Sequence, residues 1–170
     1  MIYLLTITLG LCSCYFALFL ILPLLFQKEI GKINKRSFFS VFIIVGLSLF
    51  VYYLNFIIPD FEIANRVLHA FGGGFLASLV CFLVVKDGKF SITKFQFFIF
   101  TLLLVTFLGV MNEIAEFFLQ NYTSMIMAKN INDTWLDLIS NLFGITIAGV
   151  SFIPFINNNK KISLVLKEHF

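Results

Sequence analysis

Charge is the first thing this sequence is short of. Asp, Glu, Lys and Arg make up 12% of its 170 residues, while 60% are hydrophobic. A soluble domain averages about 25% charged and about 45–50% apolar. A chain of this length cannot hide such an excess inside a water-soluble globule, because too much surface is left to cover. The long charge-free runs point instead to an integral membrane protein. Positive charge is equally thin. A net charge of +3, with no basic patch interleaved with aromatics, argues against a nucleic-acid partner.

Other absences narrow the chemistry. The three cysteines, Cys12, Cys14 and Cys81, all lie in apolar runs, where Cys behaves as a small hydrophobe. Cys12 and Cys14 fall on nearly opposite faces of a helix, so neither a local disulfide nor a metal clip follows. There is no zincin motif, no Ser-centred nucleophile elbow and no second intramembrane His. The Glu-x-x-His pairs of di-iron bundles are missing too. The first apolar run has no charged n-region and continues to about Phe26, so it reads as a span and not as a signal peptide.

What is present is apolar length. Five uninterrupted runs stand out, at Ile2–Phe26, Phe38–Ile58, Val67–Val85, Phe95–Leu119 and Trp135–Phe155. Each is near the ~20 residues a helix needs to cross about 30 Å of hydrocarbon. Open strand edges do not survive in lipid, and the alternating pattern of a barrel is absent. The fold class expected is therefore all-α: a five-span membrane bundle forming a single domain over residues 1–170. Ten of the twelve basic residues lie between spans one and two, between three and four, or after span five; only Arg66 and Lys129 lie elsewhere. The positive-inside rule then puts the N-terminus outside and the C-terminus in the cytoplasm. The basic tail, residues 156–170, would be cytoplasmic, and the expected location is the cytoplasmic membrane. Asn121-Tyr-Thr and Asn132-Asp-Thr fit the N-glycosylation triplet on the outer side, a pattern that also arises by chance.

A few polar residues interrupt the apolar runs, and they share one leaflet. "NRVLHAFGGG" puts Arg66 at the outer boundary of span three and His69 about one turn inside. "GVMNEIAEFFLQ" puts Asn112, Glu113 and Glu116 in the last turns of span four. "NDTWLDLISNLFG" lines up Asp133, Asp137 and Asn141 at spacings of four on span five. The inner half has almost no ionisable group. An acidic side chain at the centre of a span costs about 2.5–3.5 kcal/mol on insertion scales, and less near the interface. An intramembrane ionisable residue therefore reads by default as part of a site. Asp133 or Asn132 can cap span five, whereas Asp137 and Asn141 lie too deep for that. His69, Glu116 and Asp137 are expected within roughly 8 Å of one another, a gap that one water or ion bridges. Gly72, Gly73 and Gly74 read as close-packing residues, with His69, Gly73, Ala77 and Cys81 forming a stripe of mostly small groups at spacing four.

Three pieces together resemble the VanZ-like family of small bacterial membrane proteins and the related YjdF-type proteins. They are Arg66-x-x-His69 with its glycines, Glu113-x-x-Glu116, and Asp137-x-x-x-Asn141-x-x-Gly144. VanZ-like proteins carry Gln where this chain has Glu116; the Glu-x-x-Glu form and "DTWLD" lean towards the YjdF type. The resemblance covers roughly residues 66–149, and the first two spans add only hydropathy. It implies a role in the cell envelope, because VanZ-like proteins are linked to low-level glycopeptide resistance.

Three functions compete. A binder or modulator would take membrane or envelope lipid, a glycopeptide or a partner at the polar pocket. An enzyme acting on a lipid head group would use His69, Glu113, Glu116 and Asp137 for acid–base work, with Arg66, Asp133 and Asn141 binding. The same set can hold a divalent metal such as Mg²⁺, Mn²⁺, Ca²⁺ or Zn²⁺. A proton- or cation-coupled transporter ranks last, because transport needs polar groups near the midplane and a route to both sides.

Overall fold

The computed structural model of the protein describes residues 2–25, 35–123 and 131–156. Among them there is no strand, and five helices are long and apolar enough to cross a membrane. They are α1 (Ile2–Leu25), α2 (Lys35–Ile57), a composite third helix, α5 (Lys94–Tyr122) and α6 (Ile131–Phe152). The composite helix joins α3 (Phe61–Leu68), a π-helical segment (His69–Leu76) and α4 (Ala77–Asp87) without a break. A short 3₁₀ turn, Ile153–Phe155, finishes α6. Phe26, Lys28, Lys32, Lys129 and the tail from residue 157 lie outside the described residues.

Where helices begin follows from capping, which hydropathy does not see. α3 starts six residues before the apolar run, because the Asp60 carboxylate accepts hydrogen bonds from the backbone N–H groups of Glu62 (2.8 Å) and Ile63 (3.0 Å). α5 opens on a capping box: the Thr93 hydroxyl accepts from Gln96 N–H (3.1 Å) and the Gln96 side chain accepts from Thr93 N–H (2.8 Å). α6 starts at Ile131, a turn before the apolar run, so Asn132 and Asp133 are not its caps as the sequence suggested but part of its first turn.

The composite helix is the pillar of the bundle. Most of it is buried, whereas only about a quarter of each other span is. Tyr15, Leu18 and Leu22 from α1, Ile44 from α2, Phe97 and Val105 from α5 and Ile145 from α6 pack with Val80 and Val84 of the pillar. Phe82 of the pillar stacks on Phe152 with ring centroids 5.0 Å apart, and Phe75 meets the same ring at 5.3 Å. The outward faces carry Phe42, Phe56, Phe95, Leu103, Phe143 and Val150, all exposed. Water would penalise that surface, and hydrocarbon does not.

The π-helical segment changes one expectation. A π-helix bonds i to i+5, so residues four apart no longer mark a single face. The spacing-four stripe therefore does not describe the contact. The close approach to α6 is made at Gly74 and Gly144: a Cβ on Gly74 would meet the Asn141 carbonyl and lie 2.8 Å from the Gly144 Cα. A Cβ on Gly144 would run into the Ala70 carbonyl. The glycines do serve close packing, as small residues do between membrane helices.

Candidate functional site

The polar residues of three helices meet at the α3 end of the pillar. Arg66, in the last turn of α3, reaches α6 and pairs with both Asp133 and Asp137. Its guanidinium also donates to the Asp133 backbone carbonyl (3.2 Å). A planar guanidinium with several donors suits this double engagement, and an ammonium would not match it. Asn65 Nδ2 donates to Asp137 Oδ1 (3.1 Å), and His69 Nε2 stands 3.3 Å from the same oxygen. One carboxylate oxygen thus gathers groups from three residues of the pillar. Asp137 is almost wholly buried, and so is His69.

α5 supplies Glu113 from the facing side. One ligand atom from each of His69, Glu113 and Asp137 lies within 4.8 Å of the others, and all three side chains are buried. Glu113 Oε1 is buried with no hydrogen-bond partner, and so is Asn141 Oδ1. Asn141 lies one turn from Asp137 along α6, between Gly73 of the π-helical segment and Gly109 of α5. A Cβ at Gly73 would collide with the Asn141 Oδ1, and one at Gly109 would sit 3.0 Å from its Nδ2. Glycines on two helices therefore make the room this amide occupies. Gly109 is one turn from Glu113, so the amide sits one turn from both acidic members of the trio.

The sequence reading is met unevenly. The structure brings Arg66, His69, Asp133 and Asp137 together and sets Asn141 one turn away on α6, between two glycines. The glutamate of the trio is Glu113; Glu116, expected beside it in the same pocket, is not among the three. Glu116 is half-buried and accepts a hydrogen bond from Asn112 of its own helix (2.8 Å). Asn65 was passed over, although it stands four residues before His69, on the same helix face. Gly109 carried no signal readable without its neighbours.

The opposite end of the pillar holds a buried acid that the sequence reading did not single out. Asp87 is buried there. Its Oδ2 accepts hydrogen bonds from the Tyr15 hydroxyl (2.7 Å) and the Ser40 hydroxyl (2.6 Å), and Oδ1 pairs with Arg36 Nε at 3.0 Å. Lys86 Nζ donates to the Phe155 carbonyl (2.7 Å), tying in the end of α6. Between the two ends the pillar buries Leu76, Leu79, Val80, Cys81 and Val84. Among the described residues, no chain of ionisable groups links the ends through that stretch.

A family model described as "Predicted membrane protein (DUF2238)" matches residues 7–158 of the chain. No curated protein and no solved structure matches the chain.

Proposed function

We propose that this chain, which belongs to the DUF2238 family of predicted membrane proteins, is a binding protein of the cell envelope whose Arg66 end receives the head group of an envelope lipid. One observation carries the reading. Glu113, facing Asp137 from α5, and Asn141, one turn from Asp137 on α6, hold buried oxygen acceptors with no partner. Leaving such a group unmet costs about 1–3 kcal/mol, so the site calls for an occupant that brings donors or positive charge. A head group with an ammonium or hydroxyls does this, and so does a phosphate that arrives with a cation.

Charge bias supports the direction. Lys35, Arg36, Lys86, Lys89 and Lys94 belong to the Asp87 end, and Arg66 stands at the other. The positive-inside rule makes the Asp87 end cytoplasmic and turns the site outward, in the cell membrane. Impermeant labelling of single cysteines placed at Lys89 and Arg66 in a cysteine-free background tests this. Labelling of position 89 in intact cells reverses the orientation.

The binding test is native mass spectrometry of protein released gently from membranes. Wild type should retain envelope lipid that Glu113→Gln loses. Equal retention by both sinks the reading. Displacement of the lipid by a glycopeptide would make the antibiotic the ligand, as the VanZ-like resemblance implies. A second reading, an enzyme acting on the same head group, is favoured by the imidazole of His69 lying beside two carboxylates, a set suited to proton transfer. Conversion of the retained lipid on incubation would select it.

A further inference from the structure

We propose that His69, Glu113 and Asp137 form a site for one divalent first-row cation of the Zn²⁺ or Mn²⁺ kind. The proposal rests on the reading of this end of the bundle as a binding site, and it names what that site holds first.

The geometry is that of a metal centre. His69 Nε2 and Asp137 Oδ1 are 3.3 Å apart. Bonds of about 2.0–2.1 Å in tetrahedral array place neighbouring ligand atoms about 3.3 Å apart, so a cation fits on this edge without opening it. The third ligand comes from Glu113, whose contributing atom completes a set spanning at most 4.8 Å. Its flexible side chain needs only a small swing to close the set. An imidazole with two carboxylates suits zinc and manganese better than calcium, which takes oxygen ligands alone.

Two further observations point to a ligand. Glu113 is 8% exposed and its Oε1 has no hydrogen-bond partner, so a buried carboxylate oxygen in this trio residue is left unmet. Asn141, 3% exposed, adds an unpartnered oxygen one turn below. Asn65 and Arg66 both donate to Asp137 Oδ1, which fixes the carboxylate beside His69. Hydrogen bonding of a ligating carboxylate in this manner is the usual outer shell of a metal site. The π-helical segment begins at His69 itself, and π-helical turns recur at functional sites. A cation held by three protein groups keeps open positions. A phosphate head group can occupy one of them.

The test is metal uptake by the full-length protein in nanodiscs after stripping with EDTA. Wild type should bind about one equivalent of Zn²⁺ or Mn²⁺ per chain. His69→Gln and Glu113→Gln should each weaken binding at least about tenfold, and Glu62→Gln, at the far start of α3, should leave it unchanged. Pulsed EPR of the Mn²⁺-loaded wild type should show coupling to an imidazole nitrogen, a readout that needs no variant to fold. Absence of stoichiometric uptake, absence of nitrogen coupling, or binding indifferent to both ligand variants each overturns the site. Stripped protein that retains lipid but takes up no metal removes the cation and leaves the head-group reading standing. Metal uptake without any lipid retention does the reverse.

Discussion

The central helix buries polar chemistry at both ends, and the two ends treat it differently. At Asp87 both carboxylate oxygens are met, by hydroxyls from Tyr15 and Ser40 and by the guanidinium of Arg36. Three helices, α1, α2 and the pillar, converge on one anion and leave it nothing further to bind. At the Arg66 end Asp137 is just as buried and well supplied, yet Glu113 and Asn141 beside it keep oxygens without partners. Burial alone therefore does not separate a fastening from a site. What separates them is whether the donors and acceptors balance within the chain. A balanced group contributes to stability, and an unbalanced one lowers stability until something arrives.

The contrast makes stability and binding fall out of different residues. Asp87→Ala should have the largest effect on folding, about 3 kcal/mol, because it removes two hydroxyl bonds and strands Arg36. The figure stays at the low end because much of the Arg36 side chain is exposed. Equilibrium unfolding in mixed detergent or by steric trapping reads it. An effect smaller than that of any change at the other end would dissolve the contrast.

Gly144→Ala should follow at about 2 kcal/mol, since the new methyl meets the Ala70 carbonyl, which is backbone and cannot rotate away. The same unfolding measurement applies, and the loss should appear with lipid retention reduced, because α6 carries Asp137 past this contact.

Asp137→Asn should cost about 1 kcal/mol, since the amide keeps an oxygen for Asn65 and Arg66 retains Asp133. Glu113→Gln should change stability by less than about 1 kcal/mol, in either direction, because a neutral isostere replaces a carboxylate with one unmet oxygen. Binding by these two variants should nevertheless collapse. The smallest effect belongs to Glu116→Gln, within about 0.5 kcal/mol, because the amide oxygen still accepts from Asn112. A Glu116→Gln variant more damaging than Asp137→Asn would move the centre of the site along α5.

Much of this was legible in the sequence, for a physical reason. Hydrocarbon imposes one long apolar run per helix, so the five spans can be counted without knowing any contact. Arg66, His69, Asp137 and Asn141 were visible because each stands alone against an apolar background. Choosing between Glu113 and Glu116 was not possible that way. Three residues apart on a helix they point about 60° from one another, and the composition around them is the same. Asp87 was hidden differently. It follows an apolar run among lysines and reads as a loop residue, while its partners Tyr15 and Ser40 lie 72 and 47 residues away. The π-helical segment escaped because every spacing rule applied to it assumed the α-helical period.

That segment also sets an angle. A residue in a π-helix turns the chain by less than the α-helical 100°. Eight residues of it, from His69 to Leu76, therefore fix the phase between what lies before and what lies after. Arg66 and His69 are aimed at α6 while Asp87 is aimed at α1 and α2, and the offset between those bearings is written into this short stretch. Were it to tighten to an α-helix, one end would rotate relative to the other by on the order of 100°. The fastening at Asp87 would then hold the lower half still while the donors of the upper half swung away from Asp137. The pillar is thus a shaft with a set twist, and both of its polar ends depend on that twist being kept.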